Sequence, residues 1–126
     1  METAIRYELT QAIPELSNSI NPTNAPEGVT KPYLVYARIT TRKTKTLEGY
    51  TNKQALSYML SIMAVKYADM VRIRKQVEEM LIEMPRKEIG NTTKFFIEDL
   101  DINNIDEQYE HQLKVNRGII DFTIYY

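Results

Sequence analysis

The residues best placed to do chemistry are charged ones, gathered in two stretches of opposite sign. Between Thr41 and Lys53 stand Arg42, Lys43, Lys45 and Lys53 against one acid, Glu48, with Tyr50 as the only aromatic residue. Between Glu98 and Glu110 stand Glu98, Asp99, Asp101, Asp106, Glu107 and Glu110, with no basic residue among them. Three uses fit such a pattern. The stretches can be two solvated segments. The basic arm of one copy can meet the acidic stretch of the next, a head-to-tail contact that closes into a ring when the rotation allows. The arm can also touch nucleic-acid phosphates, although four cations without interleaved aromatics are thin for that role. The candidate assembly residues are therefore Arg42, Lys43, Lys45, Tyr50 and Lys53 on one side. Asp99, Asp101, Asp106, Glu107 and Glu110 stand on the other.

No catalytic signature accompanies them. The single histidine, His111, has no nucleophile context. The acidic run DLDINNIDEQYE lacks the spacing and glycine of an EF-hand loop. The four glycines are isolated, so no phosphate-cradling loop forms. Cysteine is absent, which excludes disulfides, thiolate catalysis and Cys-ligated metals. We expect no catalytic, metal or cofactor site, and no enzyme. The net charge of −1 gives no whole-chain drive toward nucleic acid or anionic membrane. The N-terminus lacks the apolar core of a signal peptide, and no run approaches the roughly 20 apolar residues of a membrane span. A soluble chain made in the cytoplasm is the expectation.

The elements that must position the two stretches centre on Gln54–Pro85. Leu56, Tyr58, Leu60, Ile62 and Ala64 alternate, which predicts a strand over 55–65. Met70, Ile73, Val77, Met80, Leu81 and Met84 are spaced by three and four, one face of a helix. Asp69 is its expected cap, and Pro85 is expected to disfavour helical geometry at Met84. The methionines Met59, Met63, Met70, Met80 and Met84 are expected to fill the layer between helix and sheet.

Upstream, Ile5, Leu9, Ala12 and Ile13 predict a short amphipathic helix over 2–13 with Thr3 as cap. The segment 14–32, with Pro14, Pro22, Pro26, Gly28 and Pro32, reads as a long loop. Residues 33–42 predict a strand, and 41–53 an exposed arm joining it to the central strand. Downstream, Gly90 and Asn91 turn the chain, and 93–102 form a third strand in which Phe96, Leu100 and Ile102 share a face. Asn103 and Asn104 end that strand. The tail from Tyr109 is a fourth strand whose phase slips at Gly118, where a β-bulge is expected. The sum is one α+β domain spanning 1–126. It has an antiparallel sheet of about four strands in two hairpins, with an N-terminal helix and a long central helix on one face.

KPYLVY at Lys31–Tyr36, the strand-to-helix passage at Ser57–Met84, FFIEDLDI and the closing HQLKVNRGIIDFTIYY form a further pattern. In that order they resemble the tail-completion, or tail-terminator, proteins of long-tailed double-stranded DNA phages and prophages. The resemblance covers nearly the whole chain and rests on layout rather than on an invariant motif. It implies a structural protein that caps the head-proximal end of the tail tube as a ring, commonly a hexamer. It implies as partners further copies of itself, a tail-tube protein and a head-connector protein, with DNA only as passing cargo and no membrane. The implied location is the head–tail interface of the virion. Other expectations remain open: a head-completion adaptor or tail-tube component, or a small nucleic-acid-binding α+β module.

Overall fold

The structure is a computed structural model, in which residues 1–14, 20–22, 32–46, 49–112 and 114–126 are described. The side chains of 21–22, 40, 42–46 and 50–52 are not among the described groups. The chain runs α1 (Glu2–Ala12), β1 (Ile20–Pro22), β2 (Tyr33–Thr46), β3 (Gly49–Ala64) and α2 (Tyr67–Glu83). It continues through β4 (Glu88–Ile89), β5 (Phe95–Phe96), β6 (Asp99–Glu110) and β7 (Val115–Tyr125). The main sheet has the order β1-β2-β3-β7-β6. Its four long strands are antiparallel, as two hairpins joined through β3 and β7, while β1 lies parallel to β2. Both helices pack on one sheet face, giving the expected α+β architecture.

The core follows the central periodicity. Leu56, Tyr58, Leu60, Ile62 and Ala64 all point into it, with Met70, Ile73, Val77 and Leu81 of α2 fully buried above them. Each such side chain contributes about 1.5–3 kcal/mol by leaving water. That is enough to hold α2 by packing, since Asp69 does not cap it. Lys66 occupies the cap position without a side-chain bond, and Asp69 lies in the first turn beside Arg72 at 3.7 Å. Met84 also keeps right-handed helical dihedrals despite Pro85. The chain reverses instead at Arg86, whose φ of 64° is left-handed and whose N–H donates to the Ile97 carbonyl.

α1 buries Ala4, Ile5 and Leu9, followed by Ile13. Thr3 lies inside the helix, Met1 takes the cap position, and Ala12 is exposed. Within the expected loop 14–32, Ile20–Pro22 form a short strand because buried Ile20 aligns with Leu34. Pro26 and Gly28 lie outside the described residues. Met70 and Met84 fill the helix–sheet layer and Met80 packs against it. Met59 and Met63 do not. Strand parity puts them on the other face, where Met63 joins Tyr33, Val115 and Val35 in a small second cluster.

The later strands depart further from expectation. Phe96 is 54% exposed, while Ile97 next to it is fully buried and bonded through its backbone to Lys87. Asn103 and Asn104 do not end a strand. β6 runs on to Glu110, and its register against β7 shifts between Ile102 and Asn104. Gly118 carries no bulge, for its pairings to Ile62 and Glu107 are continuous. The apparent slip arises because Ile119, on the open face, is nearly as buried as Ile120. Gly118 instead permits close approach. A Cβ there would stand 2.7 Å from Met70 Sδ and 3.3 Å from Arg74 Cδ.

Candidate assembly surfaces

The basic arm is not a loop. Its backbone continues β2 and β3 as a ladder, with Lys43 opposite Gln54, Lys45 opposite Tyr50 and Thr46 opposite Gly49. Beyond Ala55, where β7 ends its pairing at Tyr125, backbone bonds between Gln54 and Tyr126 still join β3 to the end of the chain. The arm is therefore a two-stranded ribbon projecting past the sheet. The side chains of Arg42, Lys43, Lys45 and Tyr50 lie outside the described groups, as does Glu48 entirely.

Lys53 is described, and it is already engaged. It forms an ion pair with Glu98 of the same chain, both partners being about half exposed. Sheet order explains this, since β3 lies beside β7 and Glu98 bonds through its N–H to the Tyr125 carbonyl. An exposed pair of this kind is worth at most about 1 kcal/mol.

The acidic stretch is the edge strand β6, which the bulge divides in two. Before it, Leu100 and Ile102 face the helices opposite Ile124 and Phe122. The extra residue, Asn103, donates from Nδ2 to Thr123 Oγ1 at 2.8 Å. After it, Ile105, Glu107 and Tyr109 take the helix side, while Asp106, Gln108 and Glu110 take the open side. An edge strand tolerates such polar composition because one of its flanks stays in solvent.

Each named acid has a distinct environment. Asp99 accepts the Leu100 N–H at 2.9 Å, and Asp106 that of Glu107 at 2.8 Å. Asp101 accepts the Tyr125 hydroxyl at 3.0 Å. Glu107 accepts the Tyr67 hydroxyl at 2.5 Å and pairs with Arg74 at 3.2 Å, which also holds Glu78. The bond to Glu107 raises the Tyr67 pKa. Glu110 pairs with Arg117 at 3.1 Å, and the same guanidinium donates to buried Ser61 Oγ at 2.9 and 3.2 Å. Arg74 and Arg117 are neighbours of the candidate acids that the sequence pattern did not point to. Their only signal is placement, opposite β6 on α2 and on β7. The named acids thus share one strand, while the basic positions Arg42, Lys43 and Lys45 share β2, the outermost long strand on the other side of the sheet, with short β1 beyond its first half. Three inter-strand spacings, roughly 14 Å, separate β2 from β6.

Elsewhere the described residues show little that resembles an active site. His111 is exposed and packs edge-on against Tyr109 at 5.0 Å. A cleft of about 450 Å³ between the helices is lined by Glu8, Gln76, Glu79, Glu83 and Lys87 over a Met80–Met84 floor. Among the described residues no three histidine or acidic side chains converge as metal ligands. No helix among the described residues is long and apolar enough to cross a membrane.

The model of the family described as "Tail completion protein gp17" matches residues 4–126. The chain belongs to the tail-completion family. The fold is also that of a chain in a solved structure of the virion of a native gene transfer agent (GTA) particle. The two superpose with a TM-score of 0.71 at 9% identity, covering 99% of this chain and 92% of that one. No curated protein sequence matches. Membership makes this tail-completion protein a structural component of a phage tail, in keeping with the layout of its strands and helices.

Proposed function

We propose that this tail-completion protein caps the head-proximal end of the tail tube as a ring and presents the surface that joins the head. The family match carries the tail assignment. The observation that supports a ring is the sheet itself, whose two outer long strands carry opposite charge at opposite edges. A patch on one side complementary to a patch on the other makes a heterologous contact, which repeats around an axis. The assembly residues are Arg42, Lys43, Lys45, Tyr50 and Lys53 on the ribbon side, and Asp99, Asp101, Asp106, Glu107 and Glu110 on β6. Lys53 contributes at the base of the ribbon, through Glu98. Its partners are further copies of itself, the tube protein and the head connector. No catalytic step is involved, and the DNA passes through as cargo.

Replacing Lys43 and Lys45 together by Glu tests the assembly role. The fold should be unchanged, while head–tail joining falls steeply. Normal yields of infectious particles from that double variant would refute the assignment of the arm. Particles made without the chain distinguish the neighbouring structural roles under the electron microscope. Overlong tails mark a terminator, normal unattached tails an adaptor, and absent tails a tube component.

A further inference from the structure

We propose that neighbouring copies join by strand addition, the outer edge of β2 in one copy pairing antiparallel with the outer edge of β6 in the next. This rests on the ring proposed above and specifies its interface. Among the described residues both edges are open: β1 covers β2 only as far as Tyr36, and no strand lies outside β6. Both edges also carry a register shift, at Ile39 on β2 and at Asn103 on β6. Beyond Ile39 and Asn103 lie two segments of equal length, Thr40–Thr46 and Asn104–Glu110; the second pairs with β7 without interruption, and the first shifts register against β3 once more, between Lys43 and Lys45. The first reads TTRKTKT, with three basic residues and no acid. The second reads NIDEQYE, with three acids and no basic residue.

Direction and face agree as well. Successive strands from β2 through β3 and β7 to β6 are antiparallel, so β2 and β6 run in opposite senses. With the strands running along the ring axis, rotation about that axis preserves those senses and brings the two edges together antiparallel, the more stable arrangement. With Thr40 opposite Glu110 and Thr46 opposite Asn104, the two faces of the sheet continue from copy to copy. Position 42 then falls opposite Gln108, diagonally between Asp106 and Glu110 on the open face. Position 43 falls opposite Glu107 on the helix face. Directly opposed residues of antiparallel strands interact at about 5 Å between Cβ atoms.

The internal partners of β6 leave this complementarity intact. Arg74 is shared between Glu78 and Glu107, and Arg117 serves Glu110, so acids still outnumber cations along the edge. The same charges select the pairing. Two β6 edges would set acid against acid and two β2 edges base against base, both unfavourable across a ladder. Only the head-to-tail combination matches.

The chain contains no cysteine, which makes the test direct. Thr41 is exposed and Tyr109 is 48% exposed, and the proposed register sets them opposite each other. Within one chain they sit on β2 and β6, too far apart to bridge. Thr41→Cys and Tyr109→Cys, combined in one chain, are produced with the rest of the particle and treated with oxidant or a short thiol cross-linker. A ladder of species above the dimer, reversible by reductant for the disulfide, is the expected result. Each single variant should give no ladder and serves as the folding control. Particles that contain the double variant but yield no ladder overturn strand addition while leaving the tail role standing. A dimer from either single variant as abundant as the ladder overturns it too, in favour of like edges meeting. Particles that lack the protein altogether overturn the tail role. Cross-linking of the purified protein at high concentration then decides the edge pairing alone, by the same ladder or its absence.

Discussion

Gly118→Ala is expected to destabilise this protein, and the size of the effect follows from what lies above the residue. The added Cβ would stand 2.7 Å from Met70 Sδ and 3.3 Å from Arg74 Cδ. Met70 is fully buried, so its sulfur can yield only by disturbing neighbours. Overpacking of this sort costs about 1–3 kcal/mol. Replacing a strand glycine by alanine returns about 0.5–1 kcal/mol of backbone entropy. The net loss is between about 0 and 2.5 kcal/mol, or a fall in Tm of up to several degrees for a domain of this size. Met70→Ala alone opens a cavity and should cost about 2–5 kcal/mol. In the double variant the alanine at 118 enters the space that Met70 vacates, so the two costs should fall short of their sum by about 0.5–3 kcal/mol. Urea unfolding of the four proteins measures that coupling. Additivity within about 0.5 kcal/mol, or a stabilising Gly118→Ala, would refute the close approach of α2 to β7.

Tyr58 is buried against Phe122, and its hydroxyl feels the Glu2 carboxylate but meets no described acceptor with the distance and angles of a full hydrogen bond. Tyr58→Phe should therefore be neutral or stabilising by up to about 2 kcal/mol near neutral pH, as read by urea titration; a loss above 1 kcal/mol would reveal a partner. Burial, and then the Glu2 carboxylate, push the Tyr58 pKa well above its ordinary value of 10.0, while burial chiefly raises Tyr33 and Tyr126. Below pH 10 these tyrosines are neutral in both folded and unfolded chains, and stability is full. Above it the unfolded chain ionises first, so stability should fall as pH climbs past 10 and fall less steeply in Tyr58→Phe; identical slopes would refute the assignment. Arg117→Met leaves the buried Ser61 hydroxyl and Glu110 without their shared partner and should cost about 1–3 kcal/mol in the same assay. A change below 0.5 kcal/mol would show that neither bond matters to the fold.

The centre of the fold was legible because burial there is strictly periodic. Leu56 to Ala64 and Met70 to Leu81 each present one apolar face, and both faces meet in the core. Legibility faded toward the sheet edge. β6 has no repeating apolar face, because Asn103 reverses its parity midway and Glu107 stands on the helix side beside Arg74. Gly118 mimicked a bulge because the open face buries Val115 and Ile119 as the helix face buries Ile120 and Phe122. A one-sided pattern cannot anticipate that. Of the candidate site, the opposite signs were plain in the sequence. Their placement on opposite edges, and the pairing of Lys53 with Glu98, depend on β3 lying beside β7.

The projecting ribbon carries a consequence for the order of events in assembly. A two-stranded hairpin has little stability of its own in water. Its free energy is therefore held in reserve, small in a lone chain and larger once something lies along it. If copies join along this ribbon as proposed, the first contact between them should be weak and later ones stronger, because each newcomer leaves its own ribbon ready for the next. The chain would then stay as separate molecules at low concentration and close abruptly once a template gathered several copies in one place. On the proposed function, the end of a growing tail would be that template.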